Sequence, residues 1–246
     1  MRLSTFDGVT LPTAMASYGI AGQAEQATLR ATGSRAGAYD LYGTLSPDSD
    51  VEVSYEFLFT GGARTALDAL RAKLGKAGTL VASTHAGGSS RQCTAKLLKI
   101  DERSEGEHEM PAGLRRVSCT FVREPFWYDT SLTTATLTSA LSVNLTNAGN
   151  ADVIKSLVFT FNNSLAGGVV ITNTTNGQSF TYGAATAAAL VIDCGAQTVR
   201  VASVNQYGNS SRPATQIEFL SLVPGVNALT FSAAVSGSVE FRSAWR

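Results

Sequence analysis

Hydrophobic and polar residues alternate strictly along Val51-Glu-Val-Ser-Tyr-Glu-Phe-Leu-Phe59, with Val51, Val53, Tyr55, Phe57 and Phe59 on one face and Glu52, Ser54 and Glu56 on the other. This period of two predicts a half-buried strand. Gly61-Gly62 ends it, and from Ala63 to Ala77 the spacing changes to that of a helix, with Leu67, Leu70 and Leu74 on one stripe. Basic residues gather at the far end of that stretch and Gly78 follows as a candidate cap. A single amphipathic helix over 63–77 with one apolar stripe is expected to lie across a sheet. Period two returns in Arg91 to Ile100, where Cys93, Ala95 and Leu97 share a face, and in Leu114 to Arg123, where Val117, Cys119 and Phe121 do. The two segments read as a hairpin.

Beyond Arg123-Glu-Pro-Phe-Trp-Tyr-Asp-Thr130 the chain changes character. Most charged residues and the helical pattern come before this stretch, and a run rich in Thr, Asn, Ser, Ala and Gly follows it. Pro125 fixes its own φ and favours an extended Glu124, so a strand is expected to stop there. Pro125, Phe126, Trp127 and Tyr128 read as a domain junction, with the three rings wedged between domains, packed into a neighbouring subunit or closing the first core. The expected division is residues 1–127 and 128–246. In the second part Leu137, Leu141, Val143 and Leu145 share one strand face, and strand signals recur over 153–161, 168–173, 178–182, 188–193, 198–202, 216–222, 226–233 and 237–245. Turn residues such as Asn176-Gly177, Gly208-Asn209 and Pro224-Gly225 separate them, which predicts an antiparallel β-sandwich. Alanines over 184–189 permit a helical turn.

Composition narrows the function classes. With 44% hydrophobic and 15% charged residues the 246-residue chain can bury cores, and 19 basic against 19 acidic residues leave none of the positive excess of a general nucleic-acid binder. No stretch resembles a signal peptide or a membrane span, so a soluble protein without membrane insertion is expected. Cys93, Cys119 and Cys194 are widely spaced and read as buried hydrophobes. His85 precedes Ala-Gly-Gly-Ser89 without a Gly-x-Ser-x-Gly elbow, and His108 lies among carboxylates too flexible for good zinc ligation, so neither catalysis nor a metal is expected. No glycine-rich phosphate loop is present, and no cofactor is expected.

Two surface features remain. Asp101 to Glu109 carries the carboxylates of Asp101, Glu102, Glu105, Glu107 and Glu109 against a single arginine and is longer than a hairpin needs. It reads as a solvated loop or as an arm that meets another subunit or lines a channel. Tyr182, Asn205, Tyr207 and Asn209 together form a candidate glycan contact.

Specific short segments then combine in order: Asn147-Ala-Gly-Asn150, Asn173-Thr-Thr-Asn-Gly177, Ile192-Asp193, Leu222-Val-Pro-Gly-Val-Asn-Ala-Leu-Thr230 and Phe241-Arg-Ser-Ala-Trp-Arg246. This succession resembles the C-terminal sandwich of siphophage distal tail proteins, and a strand, one helix, a long hairpin and Pro-Phe-Trp-Tyr are similar to that family's ring-forming domain. The resemblance implies a mainly β fold: an N-terminal β-sandwich or split-barrel-like ring domain with one helix, followed by a galectin-like antiparallel β-sandwich. It also implies a structural virion protein, not an enzyme, made in the host cytoplasm and placed at the distal end of a long non-contractile tail. There a homo-oligomer, a hexameric ring, would join the tail tube protein to the tail-tip hub and fibre proteins and leave a channel that DNA only passes. The competing class is a carbohydrate-binding β-sandwich module without ring assembly.

Overall fold

The computed structural model describes residues 2–12, 28–29, 51–59, 64–83, 88–103 and 115–246. The chain divides into two compact units, Met1–Thr130 and Ser131–Arg246.

In the first unit, β1 (Arg2–Phe6) and β2 (Val9–Thr10) form a hairpin around Asp7-Gly8. Both turn residues have positive φ, 45° and 80°, which suits the right-handed twist of the paired strands. The sheet then runs β2-β1-β5-β6-β7-β4-β3, with β3 (Thr28–Leu29), β4 (Val51–Phe59), β5 (Ala77–Ser83), β6 (Ser90–Arg103) and β7 (Arg115–Arg123). The expected strand at 51–59 and the hairpin of β6 with β7 are present, the latter in a register that sets Leu97 opposite Phe121. Their inward residues Val53, Phe57, Phe59, Cys93, Ala95, Leu97, Val117, Cys119 and Phe121 are buried, and Phe6 meets Phe121 edge-on at 5.2 Å between ring centroids.

Two expectations change here. The helix α1 spans Arg64–Arg71 and not 63–77. Leu67 and Leu70 are buried, but Leu74 is 48% exposed. The chain leaves the helix through tight turns, with Lys73 N–H on the carbonyl of Leu70 and Leu74 N–H on that of Arg71. Gly75 then takes φ 75° and donates to the carbonyl of Leu97, so Gly75 stops the helix and Gly78 lies inside β5. Second, Asp101, Glu102 and Arg103 belong to β6 and not to its loop, because a bulge between Leu97 and Lys99 carries the pairing on to Arg103 opposite Arg116. The strand β7 does stop before Pro125, as expected, and pairing resumes beyond it. After β7 the chain steps out over Glu124 to Phe126 and returns as β8 (Trp127–Asp129) beside the start of β6, with Tyr128 opposite Gln92. Pro125 has no N–H to give to the ladder, and the neighbouring Glu124 carboxylate accepts the Thr94 N–H at 3.2 Å.

The second unit is organised by two long strands, β9 (Thr133–Asn147) and β17 (Gly225–Phe241), antiparallel along their whole length. The first part of β17 also pairs β11 (Val169–Asn173), followed by β12 (Gln178–Tyr182) and β16 (Ser210–Ser211). Its last part pairs β10 (Val158–Phe161), followed by β13 (Leu190–Asp193), β14 (Thr198–Val201) and β15 (Val204–Asn205). One ribbon therefore carries both halves of a single nine-stranded sheet, which turns a corner where register shifts at Thr230, Val235 and Gly237. Ser139 takes φ 46° at this corner and Gly237 takes φ 147°. A Cβ on Gly237 would lie 1.9 Å from the carbonyl oxygen of Thr160, so only glycine fits. Phe161 and Phe231 meet edge-on across the shared core, at 5.9 Å.

The corner explains two departures from the pattern. Leu141 was expected on the face of Leu137, Val143 and Leu145, yet it is 60% exposed while Leu137 and Leu145 are buried, because the bend at Ser139 breaks the alternation. The segments 226–233 and 237–245 are largely one strand and not two. Residues 216–222 are not a strand. The Gln216 side chain takes the place of a ladder partner: its Nε2 donates to the carbonyls of Glu218 and Phe219, and its Oε1 accepts the Ser179 N–H. Residues 184–189 form turns, with Thr186 bridged to Leu165, and no helix.

Candidate functional site

Three asparagines in the second unit, Asn147, Asn173 and Asn227, are at most 1% exposed. A primary amide is costly to bury unless its donors and acceptor are used. Each of these is. Asn147 donates from Nδ2 to the carbonyls of Ala151 (2.7 Å) and Leu222 (3.2 Å), and its Oδ1 accepts the Gly149 N–H. Asn173 donates to the carbonyl of Ser221 (2.9 Å) and to Asn227 Oδ1 (3.0 Å), and accepts the Thr175 N–H. Asn227 accepts the Val223 N–H and donates to the carbonyls of Val223 (2.8 Å) and Gly225 (3.1 Å). Gln178 Oε1 accepts both the N–H and the hydroxyl of Ser221, and Asn176 Nδ2 donates to the Ser221 carbonyl.

The result is a polar clamp that fastens the segment 221–227, the entry to β17, to the turn after β9 and to the β11–β12 hairpin. Every group in it is an amide or a hydroxyl. None is charged and none is poised as a nucleophile, so the clamp fixes loop geometry and carries out no reaction. The sequence segments Asn147-Ala-Gly-Asn150, Asn173-Thr-Thr-Asn-Gly177 and Leu222 to Thr230 meet in this one place. Their turn character was legible; that their asparagines point inward was not.

A second clamp lies in the first unit. Arg123 is 6% exposed, its Nη1 donates to the carbonyls of Glu124 (2.9 Å) and Pro125 (3.4 Å), and its guanidinium lies 5.0 Å from the Trp127 ring centroid. The cation over the ring and the two carbonyls hold the step around Pro125 in shape. Phe126, Trp127 and Tyr128 are all buried. Sequence reasoning singled out the three rings and the proline but missed the arginine that fastens them.

The remaining candidates fare differently. Tyr182 is 2% exposed and offers no ring face to a sugar, because its place at the end of β12 turns it into the core. Asn205 at the end of β15, and Tyr207 and Asn209 just after it, are exposed, and the Tyr207 ring stacks on Phe219 at 5.9 Å. Their polar groups are used locally: Asn205 Oδ1 accepts the Tyr207 N–H, and Asn209 Nδ2 donates to Gln206. Of the acidic stretch, Asp101 pairs with Lys99 at 2.7 Å and Glu102 pairs with Arg71 of α1, so these two carboxylates meet basic groups of their own chain. Glu105, Glu107, Glu109 and both His85 and His108 lie outside the described residues. Among the described residues no cluster of His, Cys, Asp or Glu is placed to hold a metal ion, and no helix is long and apolar enough to cross a membrane. Cys93, Cys119 and Cys194 are buried free thiols, and burial pushes the first two up to about 12 and the third further.

The clamp lies almost wholly in residues 148–245, and these residues match the family model of the siphovirus-type tail component, C-terminal domain. The second unit is similar to the siphovirus-type tail-component domain. The Dit protein of phage SPP1, described as a paradigm of the hub adsorption apparatus in phages infecting Gram-positive hosts, shares the fold with a TM-score of 0.56 at 14% identity. The likeness covers 81% of this chain and 80% of that one, more than the tail-component unit alone contains, so it extends into the first unit. Chains of the phage P2 baseplate in its activated conformation match with TM-scores of 0.41: one with Ca at 11% identity over 80% of this chain and 79% of that chain, one with Sr at 12% over 78% of each. No curated protein matches in sequence.

Proposed function

We propose that this protein is a structural component of a long non-contractile phage tail, forming at its distal end a hexameric ring that joins the tail tube to the tail-tip hub and fibres. One observation supports this above the others: a sandwich that matches the tail-component domain follows a β unit that contains a helix, and the fold is shared with the SPP1 Dit protein across four fifths of both chains. The first unit, up to the junction at Pro125 to Tyr128, is the ring-forming part. The ring leaves a channel through which DNA passes without binding. Glu105, Glu107 and Glu109 on the connection between β6 and β7 would place negative charge on that wall or against the next subunit, and like charge keeps a phosphate backbone from adhering.

The test is the shape and mass of the purified full chain, alone and with its tail tube protein. A closed ring with a central opening in negative-stain images, of six-fold mass, is the expected result. A chain that stays monomeric at every concentration and in the presence of the tube protein overturns the ring.

A further inference from the structure

The edges of the sandwich are unequal. β15 and β16 are two-residue strands, too short to template another chain. β9 is also an edge, pairing only β17 among the described strands, but it is 15 residues long. Its sequence, Thr133-Thr-Ala-Thr-Leu-Thr-Ser-Ala-Leu-Ser-Val-Asn-Leu-Thr-Asn147, holds no charge and no proline. Lysine, proline and short length are the usual protections of an edge, and this one has none of them. Exposed apolar side chains accompany it: Leu141 is 60% exposed and Leu132, just before the strand, 46%.

We propose that β9 pairs with β9 of a second copy of this chain, antiparallel about a two-fold axis through Ala140. The shape of the strand selects this occupant. Its bend, at Ser139 with φ 46°, lies next to its midpoint, with straight segments on both sides. Pairing about Ala140 sets bend beside bend and each straight segment beside a straight segment, from Thr133 opposite Asn147 inward. A two-fold axis along the sheet normal keeps both copies curving to the same side, so the ladder continues through the corner. A foreign strand would have to bend at the same place. The strand is also free of charge, so self-pairing brings no like charges together. Leu141 of each copy comes to lie opposite Ser139 of the other and loses much of its exposure. Such a contact is isologous and cannot close a cyclic ring, so it joins two free chains before assembly, or two rings back to back. It is independent of the ring proposed above.

The test uses the full chain and native mass measurement. In the proposed register residue 138 of one copy faces residue 142 of the other, and Thr138 and Ser142 are both exposed. T138K/S142K places lysine opposite lysine twice and is expected to halve the mass of the native species, from dimer to monomer or from double ring to single ring. T138E/S142K places glutamate opposite lysine and is expected to restore the native mass. Independently, Ala140→Cys is expected to give a disulfide-linked dimer under mild oxidation, while Thr133→Cys, far from its own copy, gives none. A native mass unchanged by T138K/S142K, or an Ala140→Cys protein that stays uncrosslinked, overturns the proposal. A halved mass that still corresponds to a ring leaves the ring standing, and a native monomer overturns the β9 pairing, and the ring as well if it persists with the tube protein.

Discussion

The two units fasten their loops by opposite means. In the first, apart from the buried Arg123 clamp, side-chain ties lie at the surface and are ionic: Lys73, two residues past the helix, reaches Asp7 in the β1–β2 turn at 2.5 Å, and Arg71 holds both Asp68 and Glu102. In the second, the ties are neutral amides withdrawn from water, as Asn147, Asn173 and Asn227 show. A surface ion pair gains little, because water and salt compete for both partners. A buried amide with every group used gains little when formed but is costly to leave half made, since each abandoned donor or acceptor keeps its desolvation penalty. The first unit therefore tolerates the loss of a surface tie, and the second does not tolerate the loss of a buried amide. A position that must accept one N–H and donate to two carbonyls inside a core suits asparagine and few other residues.

The sharpest way to break this contrast is to cut the centre of the amide clamp. Asn227→Ala strands the Val223 N–H, the carbonyls of Val223 and Gly225, and one donor of Asn173. The expected loss is about 3 kcal/mol in urea unfolding, confined to the second unit. Asn227→Asp keeps the shape but turns a carboxylate towards two carbonyls, and is expected to be no better than alanine. A loss below about 1 kcal/mol for Asn227→Ala, within the range of an exposed residue, would show that the clamp is dispensable.

Much of the fold was legible because alternation survives wherever a strand is flat. Val51 to Phe59, the β6–β7 faces and the short strands of the sandwich all follow period two. What misled the pattern was local backbone geometry. Gly75 stops the helix early although Leu74 continues the apolar stripe, because an N–H of the turn finds the Leu97 carbonyl, a partner remote in sequence. Leu141 continues the apolar face of β9, but a left-handed Ser139 turns it outward. Gln216 to Leu222 reads as a strand, but one glutamine side chain takes its backbone partners. For the candidate sites the limit was direction. Composition placed Tyr182 beside Asn205, Tyr207 and Asn209, and only the packing shows its ring turned inward.

The units also divide by their response to pH. Below about pH 9 the thiols are neutral in both folded and unfolded chains and stability does not depend on them. Above it the unfolded chain releases their protons, while burial holds Cys93 and Cys119 protonated up to about 12 and Cys194 higher still. The folded state then binds more protons than the unfolded one, so stability falls as pH rises, by up to about 1.4 kcal/mol per pH unit for each thiol. With two such thiols in the first unit and one in the second, the first unit is expected to lose stability faster between pH 9 and 10.5. Replacing Cys93 and Cys119 by alanine lowers the starting stability but should flatten the slope of the first unit. An unchanged slope would place the alkaline sensitivity elsewhere.

The smallest expected effect is the most direct test of the ionic side of the comparison. Arg71→Ala removes the contacts to Asp68 and Glu102 together, yet the arginine and Asp68 side chains are 46% and 54% exposed. Water replaces the guanidinium at both carboxylates, and alanine, at the end of a helix, recovers some propensity. The expected loss is at most about 1 kcal/mol, and the native protein should approach the variant as ionic strength rises towards 1 M, where the screening length falls to about 3 Å. If Arg71→Ala costs as much as Asn227→Ala and the difference persists in high salt, the Arg71–Glu102 contact is not a solvated surface tie. The end of β6 would then depend on the helix as closely as β17 depends on its asparagines.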